Sequence, residues 1–149
     1  MGNTFCCNLC LYYQTNKLPL YKLEGYFNCK VVDVYDGDTV TIVLFNKLSF
    51  EKHKLRMYGY DSPEMKPKRD LPNRDQEISK AKQAKKYLSD LVLNKILKFE
   101  SMGYDKYGRL LGKLYIVNNC SKQEINQLMI DLGHGYPYYG GSKQTPNNI

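Results

Sequence analysis

The sequence predicts an α+β fold that is mainly β: a five-stranded barrel, closed or nearly closed, with two or three helices. Two observations predict it. Five short runs of alternating or β-branched apolar residues are separated by turn signals. Two longer segments carry apolar residues at helical spacing, and they follow the third and fifth runs. The chain of 149 residues is one domain by length, long enough to bury a core without disulfides or a structural metal.

The first strand carries Val31, Val32, Val34 and Tyr35, and the second alternates Val40, Ile42 and Leu44. Asp36-Gly37-Asp38 links them as a turn, where Gly37 is expected to accept a positive φ. Asn46-Lys47 suits a second turn. A third strand then runs from Ser49 to Tyr60, and Pro63 cannot continue its ladder. Residues 65–73, with two prolines and the basic Lys66, Lys68 and Arg69, read as an exposed loop. A helix over Arg74 to Leu93 follows, with Ile78, Ala81, Ala84 or Lys85, Leu88, Leu91 and Val92 on one stripe and Lys80, Lys82, Lys86 and Asp90 on the solvated face. Ile96 to Phe99 and Leu110 to Ile116 are the fourth and fifth strands, joined through a turn at Asp105–Arg109. The second helix is expected to start at Ser121, because Glu124 three residues on completes a capping-box pattern, and to stop at Gly133. Barrels of this kind, the oligonucleotide-binding (OB) folds, place ligands on one face and in the adjoining loops. The expected organisation is an N-terminal arm over 1–25, the barrel domain over 26–142 and a C-terminal tail over 143–149.

A net charge of +7 points to a polyanionic partner, either nucleic acid or an anionic membrane. The five cysteines are odd in number and three lie within the first ten residues, so they do not form a disulfide framework. Cys7-x-x-Cys10 lacks the second pair that a zinc site needs. No stretch approaches the ~18 apolar residues of a membrane-spanning helix. The start lacks a basic n-region before its short apolar run, so secretion is the weaker expectation and a cytoplasmic location the stronger. His53 and His134 have no partner pattern and read as structural or surface groups.

Chemistry concentrates in three fragments: Asp36-Gly-Asp-Thr39, Arg56-x4-Asp61-Ser-Pro-Glu64 and Asp105-Lys-Tyr-Gly-Arg109. Carboxylates at strand ends can hold a hard cation and activate water. Two arginines can grip a phosphate bidentately and offset charge that grows on it, which lysine, a point charge, does not match. Such groups suit hydrolysis of a phosphodiester. Aspartates beside glycine or proline equally serve turns, and isolated strand arginines usually pair with surface acids.

In that order, with a helix between the second and third, the fragments resemble the staphylococcal nuclease (thermonuclease) family over roughly residues 28 to 140. The resemblance implies a five-stranded OB barrel and a calcium-dependent endonuclease that cuts DNA and RNA, leaves 3′-phosphates and prefers single strands. It implies that Asp38, Asp61 and the Ser62 backbone carbonyl hold Ca2+, that Glu64 is the general base, and that Arg56 and Arg109 clamp the phosphate. Asp36 matches an acidic residue of the turn that supports the ligands. Lys106 and Tyr107 match contacts to a terminal phosphate. Tyr136, Tyr138 and Tyr139 fall where the family carries base-stacking tyrosines, although packing of the tail onto the barrel accounts for them equally. The chain departs from the founding member in a longer segment between Asp38 and Arg56 and in the composition of 65–73. No protein partner is evident and a monomer is expected.

Met1-Gly2-Asn3 followed by Cys6-Cys7 resembles an acylated N-terminus, with Gly2 as the myristate site and Cys6, Cys7 and Cys10 as palmitate candidates. Two such signals would anchor the chain to the cytoplasmic face of a membrane; the alternative is an arm with incidental cysteines. Two readings compete with the nuclease: a noncatalytic single-strand-binding module, and a membrane-docked interaction protein. Neither accounts for the acidic and arginine groups together.

Overall fold

The computed structural model describes residues 22–118 and 120–140; the candidate acylation sites Gly2, Cys6, Cys7 and Cys10 and the tail over 143–149 lie outside them. Strands β1 (Glu24–Val34), β2 (Thr39–Asn46) and β3 (Ser49–Met57) form an antiparallel meander. The short β4 (Gly59–Asp61) leads to helix α1 (Arg74–Val92), then β5 (Ile96–Tyr104) and β6 (Leu110–Asn118). Strand β7 (Ser121–Glu124), helix α2 (Ile125–Asp131) and β8 (Tyr136–Tyr138) complete the described chain. The sheet order is β3-β2-β1-β5-β6-β7, and β3 also pairs in parallel with β6. That pairing closes five strands, β1, β2, β3, β5 and β6, into a barrel, as the predicted OB fold requires. Register shifts in β1 near Val31 and Asp33 and in β5 between Ser101 and Tyr104 supply the local bends that a small barrel needs. Strands β4 and β8 form a separate antiparallel ribbon at one end.

Alternation decides which side chains fill the barrel. Val31, Val40, Ile42, Leu44, Leu55, Phe99, Leu110 and Leu114 are buried. Helix α1 adds Ala84, Leu88 and Val92 to the same core, matching the predicted stripe, while Lys80, Lys82, Lys86 and Asp90 are exposed. Leu23, just before β1, is buried as well. Both described helices are those read from the sequence, but the second starts later. Ser121–Glu124 is a strand, paired with Tyr115–Asn118, and the capping box does not form: Glu124 is the N-cap and makes no side-chain cap bond. Sheet pairing satisfies the backbone there, so the local capping signal is overridden. The predicted third strand also breaks, at Tyr58, whose amide donates to the Gly112 carbonyl before β4 begins.

Asn126 interrupts the apolar stripe of α2 and is itself buried. Its Oδ1 accepts from the Leu114 amide at 3.1 Å, and its Nδ2 donates to the carbonyls of Tyr58 at 2.7 Å and Gly112 at 3.2 Å. It therefore ties α2 to β6 and to the break between β3 and β4. Asn126→Ala should take the side-chain partner from the Leu114 amide and the Tyr58 carbonyl, while Gly112 keeps the Tyr58 amide, and lower unfolding stability by on the order of 3 kcal/mol, measured by urea denaturation; a loss below ~1 kcal/mol would show that the three bonds do not set this junction.

Candidate active site

The β2–β3 register pairs Thr39 with Arg56, so Arg56 emerges beside Asp38. Its guanidinium donates to Asp38 Oδ1 at 2.7 Å and to Asp61 Oδ1 at 2.5 Å. Both carboxylates are almost fully buried, at 3% and 2% exposure. Asp38 is further held by the Thr39 hydroxyl at 2.9 Å on Oδ1, and by the Ser62 amide at 3.0 Å and hydroxyl at 3.3 Å on Oδ2. Asp61 Oδ2 accepts from the Tyr136 hydroxyl at 3.0 Å, across the β4–β8 ribbon. Asp36 Oδ1 accepts from the Asp38 amide at 3.1 Å, which is the turn-supporting position expected for it.

Gly37 does not take the positive φ expected of it. Its requirement is space: a Cβ there would lie 2.7 Å from Ser62 Cβ and 3.0 Å from Ala84 Cβ. The turn is thus pressed between the Asp61-Ser62 segment and α1. Below it the Tyr60 hydroxyl donates to the Gly37 carbonyl at 2.6 Å. Burial, with the negative potential of Asp38 and Asp36, pushes the Tyr60 phenol well above its ordinary pKa, so it stays a donor. Gly135 plays a similar part opposite, since a Cβ there would meet the Tyr60 ring at 2.6 Å and the Asp61 carbonyl at 2.8 Å.

These groups open onto a cavity of about 450 Å³ whose lining includes Asp36, Asp38, Arg56, Asp61, Ser62 and Glu64, together with Tyr35, Met65 and Lys66. The Glu64 amide is tied to Glu77 Oε1 of α1 at 3.1 Å, which anchors the Pro63-Glu64 segment to the helix start. A second cavity of about 190 Å³ shares the Arg56 wall and is lined by Tyr58, Asp105, Lys106, Tyr107, Arg109, Tyr138 and Tyr139. The Asp105 side chain organises its turn: Oδ1 accepts from the amides of Tyr107 and Arg109, both at 2.9 Å, and Oδ2 from Arg109 Nε at 2.6 Å. Partial burial works against the Asp105 charge, but the bonds from the Arg109 side chain and from both amides prevail and hold its pKa below the usual value. Lys106 Nζ lies 5.0 Å, and Arg109 Cζ 5.7 Å, from the centre of the exposed Tyr107 ring. Tyr139 packs edge-on against Tyr58 at 5.8 Å.

The structure therefore brings Asp36, Asp38, Arg56, Asp61, Ser62 and Glu64 to one cavity, and Lys106, Tyr107, Arg109, Tyr138 and Tyr139 to its neighbour. Tyr136 instead reaches Asp61. His53 bonds Glu51 at 2.9 Å and His134 stacks on Tyr87 at 4.7 Å, the structural placements expected. Sequence reasoning missed Tyr60, Thr39, Asp105 and Glu77, which hold the turn, its carboxylate, Arg109 and Glu64. The spacing signal for Thr39 and Asp105 lay inside the motifs; nothing in the pattern marked Tyr60 or Glu77.

Among the described residues no group of three His, Cys, Asp or Glu stands ready to hold a metal. The charge balance nonetheless suits a cation. One guanidinium faces two buried carboxylates, and Asp36 adds a third negative group. Burial raises the Asp38 pKa to about 6, opposed by Arg56 and reinforced by Asp36 and Asp61. A carboxylate so placed gains from a further positive charge, and the buried pair with the Ser62 carbonyl gives oxygen donors of the kind Ca2+ takes, leaving room for water. The residues fit the ion that the resemblance implies.

A family model described as "Staphylococcal nuclease homologue" matches residues 54–148. The chain belongs to the staphylococcal nuclease homologue family. The matched stretch contains Arg56, Asp61, Ser62, Glu64 and Arg109, while Asp36 and Asp38 precede it. An "Uncharacterized endonuclease" of Haemophilus influenzae is 32% identical over 110 residues, which cover 74% of this chain and 52% of that protein. The chain thus spans about half the length of that relative.

Because the folded Asp38 pKa lies above its ordinary value of 3.8, the folded state binds more protons than the unfolded state between 3.8 and about 6. The Asp38 contribution to stability of the chelated protein should therefore fall as pH rises through that window, by on the order of 2–3 kcal/mol. Urea midpoints across pH 4–7 should show this slope in the wild type and not in Asp38→Asn; parallel profiles would show that burial does not perturb this carboxyl.

Proposed function

We propose that the protein is a calcium-dependent endonuclease that hydrolyses phosphodiester bonds of DNA and RNA and leaves 3′-phosphates. The observation that carries this reading is the buried Asp38–Arg56–Asp61 cluster on the wall of an open cavity that also holds Glu64. Ca2+, held by Asp38, Asp61 and the Ser62 carbonyl, would supply positive charge against the phosphoryl oxygens. Glu64 takes the proton of the attacking water, a role typically worth ~10²–10⁴ in rate. The new P–O bond forms as the bond to the 5′ oxygen breaks; the leaving 5′ oxygen takes a proton from solvent to become a hydroxyl, and Glu64 returns its proton to solvent. Arg56 lines both cavities, so a phosphate seated where they meet faces its guanidinium, with Arg109 donating from the second. Lys106 and Tyr107 meet a terminal phosphate, and Tyr138 and Tyr139 offer ring faces to unpaired bases, which supports a preference for single strands. The protein acts as a monomer on this reading.

Cleavage of single-stranded DNA and RNA should require a divalent cation, calcium preferred, and stop in excess chelator. Arg56→Lys, Arg109→Lys and Glu64→Ala should each lose at least ~10²-fold in turnover with unchanged circular dichroism. Undiminished cutting by clean protein in chelator, or near wild-type turnover in all three variants, would refute the assignment. Oligonucleotide binding without cleavage in calcium would instead identify a single-strand-binding module.

The arm supports a further part of the reading: attachment to a cytoplasm-facing membrane through myristoylated Gly2 and palmitoylated Cys6, Cys7 or Cys10. In a eukaryotic cell Gly2→Ala should shift the chain to the soluble fraction, and Cys6→Ser with Cys7→Ser should leave weak binding. Membrane fractionation with intact-mass analysis checks this; a wholly soluble wild-type chain without acyl mass overturns it.

A further inference from the structure

The β2–β3 hairpin ends in a feature that the cavities do not use. Phe45, Leu48 and Phe50 are 56%, 92% and 80% exposed. Phe45 and Phe50 pair across the strands, with ring centres 5.2 Å apart. Lys47 and Leu48 form the two-residue turn between Asn46 and Ser49, at φ of 43° and 71°. Asparagine and glycine are the usual residues for such a turn; a leucine there is unfavourable both for backbone sterics and for exposure to water. Neither the turn nor the core accounts for it.

The hairpin has two different sides. Alternation turns Leu44 into the core and Phe45 outward. On the inward side beyond the barrel, Glu51 accepts from Asn46 Nδ2 at 3.2 Å and contacts His53 at 2.9 Å, a closed polar set. On the outward side the strand carries Phe50, Lys52 and Lys54, with both lysines exposed, and Lys47 is exposed at the turn. The tip is thus apolar and its shaft basic.

We propose that this tip inserts into an anionic lipid surface. The most exposed residue of the tip, Leu48, is aliphatic and projects beyond the Phe45–Phe50 pair, which suits acyl chains better than a stacked base. The tip is narrow and convex, and three side chains fall far short of the ~800 Å² per partner that a stable protein interface buries. Lys52 and Lys54 follow Phe50 by about 7 and 14 Å along the strand. They meet headgroup phosphates when the apolar residues reach the acyl boundary, about 5–10 Å deep. The hairpin runs seven residue steps from the Thr39–Arg56 pair to the Asn46–Ser49 pair, about 24 Å, so a docked tip leaves the cavities free. This inference is independent of the acylated arm and of the nuclease reading.

The test uses the full chain made in bacteria, shown by intact mass to carry no lipid, with vesicles of phosphatidylcholine alone or with about 30 mol% phosphatidylserine. The wild type should co-sediment with the anionic vesicles and hardly with the neutral ones. A Phe45→Ser, Leu48→Asn, Phe50→Ser variant should lose at least about tenfold in partitioning. It should remain folded, because asparagine suits the positive φ at 48 and none of the three residues is in the core. Lys52→Gln and Lys54→Gln should each cost about fivefold, and added salt should weaken binding. Cleavage by all these variants should match the wild type if the nuclease reading holds, and that result is scored separately. A wild-type chain that stays in the supernatant, or a tip variant that partitions as the wild type does, overturns the proposal. So does a tip variant that loses self-association or oligonucleotide binding where no vesicle binding exists, which would assign the tip to a second copy or to nucleic acid.

Discussion

The Arg56 guanidinium, wedged between the Asp38 and Asp61 carboxylates, is the interaction on which the described site depends. It joins three segments: the β1–β2 turn, strand β3 and the β4 ribbon. Two carboxylates buried this close would repel each other and pay desolvation without it. Burial of the guanidinium disfavours its own charge, but Asp38 and Asp61 outweigh that and hold its pKa above the ordinary value. Breaking a buried pair by removing one partner is strongly destabilising, whereas its net worth when intact is modest. The cluster therefore specifies geometry more than it adds stability.

Barrel closure places this cluster where it can be used. Arg56 pairs with Thr39 on one edge of β3 and with Leu111 on the other. Thr39 follows Asp38, and Leu111 is two residues past Arg109. The parallel β3–β6 contact thus brings the Asp36–Thr39 turn and the Asp105–Arg109 turn to the same end of the barrel, with Arg56 as the seam between the two cavities. Asn126 supports the seam from behind by bonding Gly112 and Tyr58. The two turns are far apart in sequence, and only the closed sheet makes them neighbours.

Much of this was legible from residues alone, because alternation in β2, the stripe of α1 and the punctuation at Asp36-Gly37-Asp38 are local signals. The errors fall where tertiary contacts outvoted local ones. Ser121 and Glu124 carry a good capping pattern, yet the edge of β6 offered backbone partners and took the segment as strand. Gly37 was read as a turn glycine, whereas its need for space comes from Ser62 and Ala84, distant in sequence. The motif residues were identified individually, but the way Asp38 is held was not: Ser62 and Arg56 reach it through register, which no periodicity encodes. Tyr136 lies in an aromatic tail with several tyrosines, and pattern could not say which of them faces Asp61.

The two ends of the β2–β3 hairpin invert the ordinary partition of residues in opposite senses. At the barrel end, carboxylates and a guanidinium are buried; at the tip, aromatic and aliphatic side chains meet water. Each inversion costs free energy in the isolated chain, one through desolvation and one through apolar exposure. Local conflicts of this kind concentrate at functional sites, because a binding partner resolves them. On the proposed nuclease reading, a cation and a phosphate would resolve the first. A lipid surface resolves the second, and the rigid ladder between them holds the two about 24 Å apart. That separation lets one small domain keep a surface contact without obstructing the cavities, and it makes the two functions separable by substitution.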